Sequence, residues 1–327
     1  MSFTDVRRRR ILVTGVGGAP GFDLARSLLR LGCDVIAADS NPLAAGLRLP
    51  DVTPRITAPA ADPSYRSSLL RLCAELRPHA ILSTVEHELG KLAALRRPLA
   101  DLGVTTWLPD PAAIEACTDK AAFHTVLSKN DVPTPRTVLP HELEQVPDGA
   151  PLVVKPRCGQ GAQNVHFCHT REQARMLCEL VLDPIVQDRV NGDEFTADCL
   201  VDRSGRASVI LRHRLLVKGG LAVVSRTFHD KEVAERVQET LAAVGAAGAC
   251  CAQGFITDDG LNRVVMTEVN ARVAGGFPAS EAAGADLTGQ LLAGLFKNPV
   301  DHDRLQYKPD VCLTKYTETL IVEEGRR

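Results

Sequence analysis

Glu268-Val269-Asn270-Ala271-Arg272 closes a run of strand-forming residues that begins at Arg263. Alternation along a strand sends positions 268, 270 and 272 to one face, so a carboxylate, an amide and a guanidinium converge there. Hard Mg²⁺ takes oxygen ligands of this kind and keeps phosphate oxygens among the rest. Gln253, on the neighbouring strand candidate, can add another oxygen to the cluster. In isolation a solvated strand face would explain the row equally well, so its meaning depends on what else the chain supplies.

A second constellation is Lys155-Pro156-Arg157-Cys158-Gly159-Gln160-Gly161-Ala162-Gln163, which follows the apolar run 152–154. A lysine at a strand end can reach a phosphate while the amides of a glycine-bearing loop cover it. A third is Gly15-Val16-Gly17-Gly18-Ala19-Pro20-Gly21, lying between a strand and a helix, where bare backbone N–H groups can cradle an anion. Read alone it suggests a dinucleotide. Pro20, however, takes the place of the third glycine of G-x-G-x-x-G, and Asp39 can equally cap the next turn.

The first third alternates short apolar runs with helical patterns. Residues 11–14, 34–39, 79–84 and 104–107 read as strands, and 22–31, 64–76 and 88–99 as helices, which makes a parallel doubly wound α/β sheet. A linker at 108–113 and the helix candidate 118–129 precede a half built of longer strands at 152–155, 195–201, 208–217, 221–228, 251–257 and 263–269. Helices are expected at 171–182, opened by a Thr170-x-x-Gln173 capping box, and at 231–244. This half reads as α+β with antiparallel sheets.

In this order the motifs resemble the ATP-grasp superfamily, most closely its carbamoyl-phosphate-synthetase-like branch of carboxylate-amine ligases, over nearly the whole chain. The resemblance implies an N-terminal pre-ATP-grasp, Rossmann-like domain at 1–113 and an ATP-grasp domain at 114–327, with a lid subdomain at about 136–186. It implies that Lys120 and Lys155 contact the phosphates of ATP under the loop Gly159, Gln160 and Gly161. Gln187, Asp188 and Val190 would hold adenine through a hinge, and Glu194 would face the ribose. Gln253, Glu268 and Asn270 match metal ligands, for two Mg²⁺ or possible Mn²⁺ ions, and Arg272, Lys155 and Arg214 the catalytic set. Gly17, Gly18, Glu88 of the Glu86-His87-Glu88 cluster, Arg212 and Arg226 would face the substrate. The chain departs from the pattern at Asp188, where glutamate is common, and at Ala271, where proline often stands; neither change removes a functional neighbour.

The implied reaction is ATP-dependent activation of a small carboxylate as an acyl phosphate and its transfer to an amine. The alternatives are an NAD(P)-dependent oxidoreductase using the glycine turn and a nucleotide sensor without turnover. With 38 Lys plus Arg against 40 Asp plus Glu, the formal charge of -2 gives no global field for nucleic acid or an anionic membrane. The basic run at 7–10 reads as a solvated tail. No stretch has the apolar length of a membrane span or leader, so a cytoplasmic protein is expected. Ten cysteines without a CxxC pair indicate neither a zinc site nor a disulfide framework. The partners implied are small carboxylates and amines, and the resemblance allows a homodimer.

Overall fold

The computed structural model describes residues 9–159, 161, 163–260 and 262–320. Strands β1 (Arg10–Thr14), β2 (Asp34–Asp39), β3 (Val52–Ile56) and β4 (Ala80–Ser83) pair in parallel in the order β3-β2-β1-β4. Helices α1 (Ala19–Arg30) and α2 (Tyr65–Leu76) cover its two faces, followed by α3 (Glu86–Ala94) and α4 (Arg96–Asp101). Alternation explains the layering: Ile11 and Val13 pack with Leu24 and Leu28 of α1, while Leu12 and Ile36 pack with Tyr65 and Leu69 of α2.

The second half opens with α5 (Pro111–Thr118) and α6 (Lys120–Lys129). A small antiparallel sheet then runs β5-β8-β6-β7, built from β5 (Thr137–Val138), β6 (Leu152–Pro156), β7 (His166–Cys168) and β8 (Pro184–Asp188), with α7 (Arg171–Leu180) packed on it. The larger sheet comprises β9 (Asp193–Val201), β10 (Ala207–Lys218), β11 (Leu221–Thr227), β12 (Gly248–Ile256), β13 (Val264–Asn270) and β14 (Cys312–Thr314). Its order is β13-β12-β9-β10-β11-β14, antiparallel throughout. Helix α8 (Lys231–Val244) packs beneath it, capped by Asp230 and stopped by Gly245 in the left-handed region.

The structure corrects the sequence reading at four elements. Residues 104–107 make only an isolated bridge, Thr105 to Ala80, rather than a strand. β3 is an edge strand that sequence reading passed over because Pro54 interrupts it; an edge position tolerates the missing donor. The helix expected over 88–99 is two helices. Pro98 cannot donate to the carbonyl of Ala94, where α3 stops. The expected linker at 108–113 already contains the start of α5, whose first residue is Pro111.

After the large sheet the chain returns to the N-terminal half. Phe277 and α10 (Leu287–Leu295), which follows the short α9 (Pro278–Ala282), share one core with Ile11, Val13, Leu24 and Trp107. A methyl group on Gly294 would lie 1.9 Å from the Trp107 ring, so this seam closes only with glycine there. The two halves are therefore locked around the cleft between them. Among the described residues no helix is long and apolar enough to cross a membrane.

Candidate active site

Lys155 stands next to last in β6, the strand whose apolar run Leu152 to Val154 anchors it, and burial pulls its amine down to about 8. Glu268 opposes that shift and Lys120 adds to it, so all three charges share one neighbourhood. Lys120 arrives by a separate route. Asp119 caps α6 through the amides of Ala121 and Ala122, and it also binds Arg157 at 2.6 Å. The Lys120 amide donates to Arg157 O and its Nζ to Gly159 O at 2.9 Å, tying the helix start to the glycine loop. Gln160 lies outside the described residues. Gly161 lines the cleft, and its backbone is packed so tightly against Gly220 that a methyl there would lie 2.5 Å from Gly161 C.

The predicted row is assembled across one strand pair. Gln253 of β12 sits opposite Glu268 of β13, and a register shift beside them turns the strand locally. Asn270 Nδ2 donates to Glu268 Oε1 at 2.9 Å, and Arg272 Nη2 donates to Asn270 Oδ1 at 3.0 Å. The three converging donors are all oxygens, which fits magnesium and leaves positions for phosphate. Cys251, opposite Asn270, offers no soft alternative: burial pushes its thiol up to about 12, so it stays protonated.

Arg214 ties the row to Glu194 and to the Gly220 turn. Its Nη1 donates to Gln253 Oε1 at 2.8 Å and to Glu194 Oε1 at 2.9 Å, and its Nη2 to Gly220 O at 2.8 Å. Burial raises the Glu194 carboxyl, and Arg214 counters it. Gln187, Asp188 and Val190 border the cleft at the end of β8, where Gln187 is held by Thr137 and Asp188 by Arg136. Val153, Val165, Phe167 and Phe255 add apolar surface beside them that sequence reading did not identify. Phe167, under the Arg189 guanidinium at 4.9 Å, stands on a three-residue strand too short to show a period. Together these groups line one cleft of about 950 Å³.

The N-terminal half forms the opposite wall through Gly15, Gly18, Ala19, Pro20, Asp39, Thr84 and Val85. The three glycine amides of its turn are directed at protein acceptors. Gly15 N–H donates to Ala38 O, Gly18 N–H to Gly15 O, and Gly17 N–H to Asp39 Oδ2 at 2.7 Å. Two of those amides go to β2 and one stays within the turn, so the three glycines offer no free N–H to a dinucleotide. The glycines serve close packing instead: a methyl on Gly21 would lie 2.2 Å from Gly15 O.

Of the five residues expected to face substrate, Gly18 alone borders the cleft. Gly17 turns its amide to Asp39. Glu88 is buried beneath the strand ends, accepting from Ser83 Oγ at 2.7 Å and from Thr14 Oγ1 at 2.5 Å, so it ties α3 to the sheet. Arg212 is buried in an ion pair with Asp198 at 2.9 Å, and Ser280 also donates to Asp198. Arg226 is exposed on β11, outside the cleft. Polarity in a sequence does not say which face of a strand carries it, or whether a partner buries it.

The family model for the ATP-grasp domain matches residues 117–276, and that for the PylC-like N-terminal domain matches residues 11–107. Solved structures repeat the fold. The L-amino acid ligase of Bacillus licheniformis aligns with a TM-score of 0.73 at 19% identity, over 93% of this chain and 78% of its own. The biotin carboxylase domain of Hydrogenobacter thermophilus 2-oxoglutarate carboxylase, in complex with MgADP, ADP and bicarbonate, aligns with a TM-score of 0.73 at 15% identity, over 91% and 72%. For the ADP-bound N5-carboxyaminoimidazole synthetase of Staphylococcus aureus the values are 0.72, 15%, 90% and 78%. At such identities the likeness establishes the fold.

Proposed function

We propose, for a chain that carries an ATP-grasp domain behind a PylC-like N-terminal domain, that it is an ADP-forming carboxylate-amine ligase acting on amino acids or similar small metabolites. One observation carries this reading: Lys120 and Lys155 line the same cleft as Gln253, Glu268, Asn270 and Arg272. The domain division that goes with it is 1–113 and 114–327, with 136–186 as a lid subdomain. It is supported by the small sheet β5-β8-β6-β7, which forms a core of its own.

In this reading the ammonium groups of Lys120 and Lys155 hold the phosphates of ATP, and the hinge with Glu194 holds base and ribose. Gln253, Glu268 and Asn270 would hold magnesium, which when bound supplies charge neutralisation at the phosphates. A substrate carboxylate oxygen attacks the γ-phosphorus; the bond to the β-phosphate oxygen breaks and ADP departs. The amine then attacks the acyl carbonyl, loses a proton, and expels inorganic phosphate to leave an amide. Arg272 is placed to stabilise negative charge on the tetrahedral carbon's oxygen. Exclusion of water by the residues over the cleft protects the acyl phosphate.

The test is a screen of carboxylate and amine pairs for ADP formation, with products identified by mass spectrometry. Amide product with one ADP per bond formed supports the reading, whereas ATP binding with no turnover across amino-acid pairs would favour a sensor. An ATP-consuming ligase of small metabolites belongs where ATP is abundant, and we place it in the cytoplasm. A homodimer is part of the same proposal, checked by light scattering.

A further inference from the structure

Glu86 opens α3 immediately after the cleft-lining Thr84 and Val85, and it is only 6% exposed. Among the described residues its carboxylate makes no hydrogen bond and no ion pair, in contrast to Glu88 two residues on. Arg272 has the complementary defect. Its terminal nitrogens donate to Asn270 Oδ1 at 3.0 Å and Val273 O at 3.1 Å, while its Nε is buried without an acceptor. Arg272 lines one small cavity with Ser83 and the main cleft with Thr84 and Val85, so the chain that leads directly into Glu86 runs beside it; of the charges around Glu86 it is the strongest influence. A buried carboxylate without a partner is costly, and burial pushes Glu86 up to about 7.

We propose that Glu86 is a positioning residue that pairs with Arg272 and aims its guanidinium during acyl transfer. The inference rests on the ligase reading above. Asn270 Oδ1 has two claimants, Arg272 and the metal. Were a metal to take it, Arg272 would keep Val273 O but lose one of its two acceptors, and Glu86 would offer a carboxylate with no competing donor among the described residues. Arg272 would then be held from behind, through the N-terminal half, with its remaining N–H groups free for the acyl phosphate. Glu86 does not border the cleft, which is why it acts through Arg272 rather than on substrate.

The first test is a crystal structure of the wild-type chain with ADP and Mg²⁺. The expected result is the Arg272 guanidinium at ion-pair distance from the Glu86 carboxylate. ADP in the cleft with Glu86 still unpaired would overturn the proposal alone; ADP bound elsewhere would sink the ligase reading with it. The second test is Glu86→Gln, which removes a buried charge that has no partner to orphan. Its melting temperature should hold or rise, while kcat falls roughly hundred-fold with KM for ATP unchanged. Glu86→Asp should restore part of kcat, and Glu86→Gln should add little to Arg272→Lys in the double variant. Wild-type kcat in Glu86→Gln, or additive losses in the double variant, would count against the pairing.

Discussion

Asp119 Oδ2 lies 2.6 Å from Arg157 Nη2, a contact that ties the start of α6, where Lys120 stands, to the segment that follows Lys155. Asp119 is at once the cap of α6 and the anchor of the residue two places beyond Lys155. The Arg157 guanidinium and two helix amides hold its carboxyl below the usual range, against the desolvation that raises it. Two segments more than thirty residues apart thus deliver their ammonium groups to one place.

Asp119→Ala should therefore cost about 1 kcal/mol through the lost cap, since the partly exposed ion pair adds little. ATP affinity should fall as well, because Lys120 loses its bracket. Calorimetric titration together with thermal melting separates the two effects, and unchanged affinity would show that Lys120 is placed without Asp119.

Glu268→Ala should abolish ATP turnover and leave the melting temperature nearly unchanged. Glu268 sits at the cleft surface and accepts one hydrogen bond, from Asn270. ATP hydrolysis at the wild-type rate would overturn its assignment to the metal.

Lys155 carries a pH signature. With its amine at about 8 in the fold against 10.5 for the free group, the unfolded chain binds the extra proton between those values. The group's contribution to stability therefore grows as pH rises from about 8 towards 10.5, and is constant outside that window. Nucleotide phosphates favour the charged amine, so ATP binding above pH 8 should take up a proton, measurable by calorimetry in buffers of different ionisation enthalpy. Lys155→Ala should weaken ATP binding and remove that uptake; uptake persisting in the variant would assign it elsewhere.

Arg212→Ala should act on stability rather than on substrate choice. It strands Asp198 in the core, a loss of about 3–5 kcal/mol by denaturant unfolding. A stable variant with altered substrate KM would restore Arg212 to the substrate wall.

Gly220→Ala should impair nucleotide closure. Gly220 has a φ of +75°, and a methyl there would meet the Gly161 backbone. Weaker ADP affinity with near-wild-type melting is expected, read by calorimetry and thermal denaturation; wild-type affinity would show that this contact is dispensable for binding.

The parallel and antiparallel halves were legible in the chain because they depend on local periodicity. β1 centres on the buried apolar run Ile11 to Val13, and α8 ends at the glycine that its pattern calls for. The row at Glu268, Asn270 and Arg272 was legible for the same reason, since alternation along one strand fixes a shared face. β3 and the break before Arg96 were harder, because each depends on what one proline meets in the surrounding structure.

Sequence alone put forward the candidates for phosphate and metal, and determined that the row's three polar groups share one face. Only the tertiary structure decided that Lys120 and Lys155 border the cleft that the row lines, and that the amides of Gly15 and Gly17 are spent on β2. It also decided that Arg212 and Glu88 are buried ties, and that Glu86 is the acid near Arg272. Periodicity is set by backbone geometry over a few residues, whereas partnership and burial depend on which distant segments pack together.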